Sequence, residues 1–354
     1  MNIKVLLNRT TEWLKGQGPD ADIVISSRIR LARNIMDIPF PHRANDESRR
    51  KALGIVGKAI KASKHMHASL YVQLNELDVI DKQFLVERHL MSKHLAEETR
   101  ESALAVGQGE VISVMINEED HLRVQVLRSG FQLRDAWDLI NILDDEFEKS
   151  IHYAFSPVYG YLTCCPTNVG TGMRASVMMH IPALVLSKQV NQVIQAVLKL
   201  GLAVRGLYGE GTEPSGNLFQ MSNQVTLGTT EEDIIVSLEK VIRQIVTHER
   251  NARVALLRDS ASELQDRVWR AYGLLKNARV ISSKETIELL SALRLGVSLE
   301  ILKGIDVLTI NELFMQTQPA HLQEMVGREL DADERDFFRA ELIRRKLAPE
   351  RKGK

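Results

Sequence analysis

Strand-type alternation of apolar and polar residues recurs through the first 250 residues and then stops. Before that point, short β-rich runs are separated by Gly, Pro and Asn and interleaved with helical stretches. Ile112, Val114 and Ile116 alternate, as do Leu122, Val124 and Val126, so Glu110 to Asn117 and Leu122 to Arg128 read as a hairpin. Ala21 to Leu31, Tyr159 to Cys164 and Phe219 to Leu227 read as further strands. Helical spacing covers Asn45 to Ser63, Phe131 to Phe147, Ile181 to Leu200 and Glu231 to Glu249, the last opened by Thr229 and Glu232 at capping-box spacing. Strands and helices mix without regular alternation, which predicts an α+β fold rather than a doubly wound parallel sheet.

After Asn251 only helical patterns remain. Val254 to Ala278 is one long amphipathic run, Ser282 with Glu285 and Thr309 with Glu312 have capping-box spacing, and Asp331 to Leu347 closes the series before Pro349. The expected organisation is an N-terminal segment over 1–20, an α+β unit over 21–250 and an all-helical unit over 254–354. A length of 354 residues fits about two domains.

Lys plus Arg and Asp plus Glu are 46 each, so no basic coat favours direct nucleic-acid binding. No apolar run approaches the roughly 20 residues of a membrane span. Lys4, Asn8, Arg9 and Thr10 interrupt any signal-peptide core. The two cysteines, Cys164 and Cys165, are adjacent, a poor geometry for a structural bridge. The expectation is a soluble cytoplasmic protein. Phosphate-loop, dinucleotide and protein-kinase signatures are missing, and so are C-x-x-C and H-E-x-x-H, so no direct protein–metal site is expected.

What remains is arginine. Arg28 and Arg30 alternate on a strand, which puts both guanidiniums on one face about 6.5–7 Å apart. Neighbouring cations want an anion between them, and the guanidinium fork matches phosphate oxygens, although two carboxylate partners on a solvated face would serve as well. Gly170-Thr171-Gly172-Met173-Arg174 reads as a turn between a strand and a helical stretch that can cradle an oxyanion, with Arg174 completing the clamp. Arg205 and Gly206 through Gly211 form a second Gly-rich stretch that includes Glu210. Asn117-Glu118-Glu119-Asp120-His121 stacks three acids at a hairpin end. That is costly through like-charge repulsion unless a cation sits there or the turn is fully solvated.

Together these blocks resemble the phosphagen (guanidino) kinase family over roughly residues 21 to 250. The matching stretches are Ser26-Ser27-Arg28-Ile29-Arg30, Asn117 to Arg123, Cys165 to Arg174, and Arg205-Gly206 through Ser222-Asn223. The resemblance implies an antiparallel sheet flanked by helices, with ATP and Mg²⁺ as cofactors. It assigns ATP binding to Ser27, Arg28, Ile29, Arg30, Leu31, Arg123, Arg174, Ala175, Ser176, Val177, Met178, Arg205, Gly206, Leu207, Tyr208, Gly209 and Glu210. It also places His89 against the adenine. Glu119 and Glu210 would orient the guanidinium, Glu118 would hold magnesium through water, and Cys165 would be the reactive cysteine beside them. Met178 stands where the family usually has His.

Because Arg28 lies so near the start of this sequence, the family's N-terminal helical domain, which closes over small guanidines, is expected to be missing, and an additional helical region is expected after the kinase blocks. This resembles the bacterial branch of the family that phosphorylates arginine side chains in proteins. That resemblance implies Clp-type unfoldase–protease partners, an activator protein, substrates such as a heat-shock repressor, a stress-response role and a homodimer or higher oligomer. It also implies allosteric phosphoarginine binding by Arg335, Asp336, Arg339 and Ala340. Arg335 and Arg339 sit at i and i+4 on one helix face, a spacing equally suited to ordinary surface salt bridges. A small-guanidine kinase without its lid, and a phosphoarginine-reading adaptor with a vestigial kinase site, remain the alternatives.

Overall fold

The computed structural model describes residues 3–7, 9–97, 100–206 and 215–348. The strands among them are β1 (Val24–Arg33), β2 (Leu70–Gln73), β3 (Ala103–Val106), β4 (Ile112–Ile116), β5 (Leu122–Ser129), β6 (Phe155–Ser156), β7 (Gly160–Tyr161), β8 (Met173–His180), β9 (Leu202–Arg205) and β10 (Leu218–Asn223). Eight form one antiparallel sheet in the order β2-β3-β4-β5-β1-β8-β10-β9, while β6 and β7 form a separate hairpin. The helices of this half are α1 (Asp46–Ala62), α2 (Val79–Glu87), α3 (Lys93–Glu97), α4 (Leu133–Glu148), α5 (Pro182–Leu186), α6 (Val190–Lys199) and α7 (Glu231–Asp259).

Period-two alternation splits the sheet into two unlike faces. Ile29, Leu31, Val124, Val126, Ala175, Val177 and Met221 lie on one face, buried beneath α1, α4 and α7 in the larger core. The opposite face carries Ser26, Arg28, Arg30, Arg123, Gln125, Arg174, Ser176, Gln220 and Ser222, as the strand register dictates.

Some expected elements shift. Ala21 to Ile23 form a turn around Asp20, whose φ is 54°, so β1 starts at Val24. The strand expected to reach Leu227 ends at Asn223, whose amide nitrogen donates to the carbonyls of Met173 and Val225 and turns the chain. The strand expected over Tyr159 to Cys164 is only Gly160–Tyr161. The helix expected from Ile181 to Leu200 breaks at Lys188, with φ 59°, into α5 and α6. The glycine turn leads into β8 rather than into a helix. The capping box of α7 is Thr230 with Asp233, one residue beyond the expected pair.

α7 runs unbroken through the expected boundary between 250 and 254, and the chain turns at Ser260 into α8 (Ala261–Asn277). α9 (Ser283–Ser298), α10 (Val307–Gln316), α11 (Pro319–Val326) and α12 (Ala332–Lys346) follow. Asp306, not Thr309, caps α10, accepting from the Thr309 amide at 2.6 Å. These helices gather around Val268, Leu290, Leu293, Ile310, Leu313 and Ile343, and the same core takes in Trp13, Ile25, Leu127, Met178 and Leu218. Buried Arg294 of α9 donates to the carbonyls of Ala21 (2.8 Å) and Asp22 (3.0 Å) at the entry to β1. Glu87 of α2 accepts from the amides of Ala320 (2.9 Å) and His321 (3.0 Å), placing a carboxylate at the positive end of α11. Among the described residues no helix is long and apolar enough to cross a membrane.

Candidate active site

The polar face of the sheet is organised in rows across the strands. Arg30 stands opposite Arg174. Arg28 faces Ser176, which faces Ser222. Ser26 faces Met178, Met178 faces Gln220, and Gln220 faces Arg205. Arg123 lies one row beyond Arg30, opposite Ala32. The five arginines therefore converge on one open cavity of about 910 Å³, which also meets His89, Glu118, Glu119 and Cys165.

The arginines disfavour one another's charge. Burial, then Arg123, Arg174 and Arg205, push the Arg28 guanidinium down to about 9. Burial and three neighbouring cations also hold Arg30 well below its usual value, and only Glu118 opposes them. Arg30 donates no hydrogen bond among the described residues, and its Nε is buried without a partner. Arg174 reaches the Ser222 hydroxyl at 3.3–3.4 Å. A half-buried cation such as Arg30 favours an anion beside it, and a row of arginines matches a polyphosphate.

The acidic turn is sorted residue by residue. Asn117 takes φ 56°, its amide nitrogen anchored on the carbonyls of Glu101 and Arg49. Asp120 is structural: one oxygen accepts from Asn34 Nδ2 (2.6 Å) and the Cys164 amide (2.7 Å). The Ile35 amide donates to Nδ1 of His121, which leaves Nε2 to donate to the Pro39 carbonyl. Burial lowers His121 to about 4, so it stays neutral. Glu118 is buried, and a single oxygen accepts from both Arg123 and Ser92. Burial works against its charge, but Arg123 and Ser92 hold it below the ordinary carboxylate value. Glu119 is half-buried in the cavity wall and makes no hydrogen bond among the described residues. Burial, then Asp120 and Glu118, raise its pKa. The repulsion expected of three stacked acids is thus absorbed by Asn34, Arg123 and Ser92, while Glu119 faces the cavity.

Cys165 lines the same cavity, its Sγ 3.0 Å from the Thr167 hydroxyl. Its neighbour Cys164 turns away toward His42, and burial with Asp120 pushes that thiol up. His89 sits at the cavity edge with φ 59°, its carbonyl held by Gln125 and its ring edge-on to Trp13 at 4.7 Å. Burial and Arg28 lower it to about 3, so the imidazole is neutral. A recess beside it is walled by Trp13, Leu127 and Met178.

Not every expected residue arrives. The side chains of Ser27, Ile29, Ala175 and Val177 point to the opposite face, because alternation sends every second residue away; Ser27 bonds the Gly130 carbonyl and the Gln132 amide instead. Gly206 lies beside Arg205 at the end of β9, and Leu207, Tyr208, Gly209 and Glu210 fall outside the described residues. Arg335, Asp336, Arg339 and Ala340 lie on α12, outside the cavity. Arg339 is only 1% exposed, donating to the carbonyls of Thr317 and Ile281 and to Asp336. Arg335 bonds the Leu330 carbonyl. In this structure both guanidiniums hold groups of the protein itself.

Sequence reading passed over Trp13, Ser92 and Gln220. Only Gln220 carried a readable signal, its two-residue spacing from Ser222 on a strand.

Two family descriptions match the chain: "ATP:guanido phosphotransferase, C-terminal catalytic domain" over residues 52–252, and "Protein-arginine kinase McsB C-terminal domain" over 261–354. Curated relatives include the protein-arginine kinase of Pelotomaculum thermopropionicum, 50% identical over 96% of this chain and 97% of its own. That of Brevibacillus brevis is 48% identical over 96% of each. Among solved structures, a duplicated taurocyamine kinase from Schistosoma mansoni aligns with TM-score 0.61 at 27% identity, covering 71% of this chain and 35% of that one. A lombricine kinase aligns with TM-score 0.59 at 22% identity over 70% and 73%, a likeness of fold.

Proposed function

The chain belongs to the ATP:guanido phosphotransferase family, and from that premise we propose that it transfers the γ-phosphoryl group of ATP to arginine side chains of proteins. The observation that carries this reading is the row in which Arg30, with no hydrogen-bond partner, faces Arg174 beside Glu119. The curated relatives, similar over nearly their whole length, are named protein-arginine kinases.

The arginines bind the phosphates and offset the charge that spreads over the transferring group. Glu119 aligns the target guanidinium, and Glu210 takes its opposite edge. A guanidinium nitrogen bonds to phosphorus as the β–γ bridging bond breaks, and its proton passes to Glu119. Guanidinium is too weak an acid to lose that proton beforehand. A raised carboxylate pKa makes Glu119 the better acceptor. Glu118 leaves its second oxygen without a hydrogen bond, which fits a magnesium ion held through water. When bound, such an ion neutralises phosphate charge. Cys165 lies beside the acceptor.

On the same resemblance, phosphorylation marks cytoplasmic targets, a heat-shock repressor among them, for Clp-type proteolysis under stress. An activator protein, self-association and phosphoarginine binding at Arg335 to Ala340 belong to this reading.

The test is mass spectrometry, under conditions that preserve acid-labile P–N bonds, after incubation with ATP, a test protein and free arginine. Phosphoarginine on the protein supports the reading. Label on free arginine alone makes the chain a small-guanidine kinase, and no label with no ATP turnover makes it an adaptor.

A further inference from the structure

α2 ends at Glu87, two residues before His89 at the cavity edge. The Glu87 side chain is 4% exposed and reaches into the start of α11. Its two oxygens accept from the amides of Ala320 (2.9 Å) and His321 (3.0 Å), and one lies 2.8 Å from His321 Nδ1. Arg339 holds the same stretch from behind, its Nε donating to the Thr317 carbonyl at 2.8 Å. The His89 backbone is left-handed, at φ 59°, which a residue other than glycine keeps only where its surroundings over-determine it. Here they do. The Arg88 carbonyl accepts from Trp13 Nε1 (3.2 Å), and the Arg88 guanidinium is held by Glu110 and the Arg9 carbonyl. The His89 carbonyl accepts from Gln125 at 2.6 Å. Of these anchors, Glu87 alone ties the turn to the C-terminal helices.

His89 and Trp13 border both the recess walled by Leu127 and Met178 and a small adjoining cavity lined by Glu87, Phe314 and Met315. His89 therefore stands between the recess and the C-terminal helices. The arginine cavity, by contrast, is lined only by residues up to Thr226. We propose that Glu87 is a positioning residue: by clamping the start of α11 to the end of α2, it fixes the turn that presents the His89 ring. The C-terminal helices thereby complete the base-binding end of a site whose phosphate end needs none of them. A carboxylate suits the task because three donors converge on it, two of them amides at the positive end of a helix. This inference rests on the ATP-dependent reading above, with the base against His89.

The experiment uses the full chain and compares ATP with inorganic tripolyphosphate, which offers the arginines a phosphate chain and carries no base. Glu87→Gln keeps the shape of the side chain and turns an amide donor toward the donors of α11. It should raise KM for ATP about tenfold, keep kcat within about threefold, and leave inhibition by tripolyphosphate within about twofold of the parent. In a His89→Ala background the same substitution should add less than about twofold, because both act through one ring. His321→Phe, which keeps a ring and removes one donor, should show the same pattern at about threefold, and it decides the matter if Glu87→Gln does not fold. An unchanged KM for ATP, an equal weakening of ATP and tripolyphosphate, or the full factor on top of His89→Ala overturns the inference while leaving ATP-dependent transfer standing. A parent that turns over no ATP would instead defeat the functional reading itself.

Discussion

Two of the three arginines on β1, Arg30 and Arg33, lie three residues apart in opposite surroundings. Arg33 points to the covered face, where Asp144 holds its Nη2 at 2.7 Å, the Thr171 carbonyl takes Nη1, and the Tyr161 ring lies 3.5 Å from its Cζ. Arg30 points to the cavity, among cations and without a hydrogen bond among the described residues. The same contrast separates the cavity from the C-terminal helices, where Arg294 and Arg339 are saturated with carbonyls and side chains. A fully partnered arginine is architecture and is tuned for stability. A partnerless one, held beside others of its kind, is tuned for an anion that arrives later. The fold accepts mutual repulsion in the cavity because the sheet fixes the strands that carry it.

That division is open to attack at several points. The largest effect should come from Glu119→Gln, which can neither accept a proton nor pair with a guanidinium. Transfer should fall by more than about 10³-fold while ATP affinity stays near the parent's. A loss below about tenfold would remove Glu119 from the reaction. Next, Arg30→Met should cut kcat/KM roughly 10²–10³-fold yet leave the melting temperature of the ligand-free protein unchanged or slightly higher, since it removes a half-buried cation with no hydrogen-bond partner among the described residues. Calorimetry showing a clear drop would mean that Arg30 is structural after all. Arg294→Met should behave in reverse. It strands the carbonyls of Ala21 and Asp22, costing about 3–5 kcal/mol, and should leave turnover per folded molecule within a few-fold at low temperature.

The smallest effect is in pH. Asp120 takes both of its hydrogen bonds on one oxygen, so Asp120→Asn can keep them while deleting a charge. Because Asp120 raises Glu119, the variant's Glu119 should ionise at lower pH. The acid limb of kcat/KM should therefore move downward by under about one pH unit. An upward shift, or none, would detach Asp120 from the titration of Glu119.

Residues close in sequence announced much of this. The Arg28–Arg30 alternation put both on one face, and the acidic run put Glu118 and Glu119 at a hairpin end, as found. What sequence could not show was pairing between distant strands. β8 was read as a helical continuation, so Arg174 was never seen to face Arg30; only the antiparallel register of β1 and β8 makes that row. Four-residue strands such as β2, β3 and β9 are too short for alternation to register. The i,i+4 spacing of Arg335 and Arg339 was legible, but the depth of Arg339 was not, because burial depends on where α10 and α9 place their ends.

α7 spans 29 residues and stays with the core beneath the sheet along its length. Ala252 and Leu256, near its far end, still belong with the core beneath the sheet, while the second core borrows Trp13, Leu127 and Met178 from the sheet side. Neither half of the chain owns a complete interior. Denaturation should then proceed as one event, with probes in the sheet and in the C-terminal helices melting together, because unfolding either part uncovers the other's apolar surface. A cut made inside α7, between 250 and 256, would release two sticky fragments rather than two proteins.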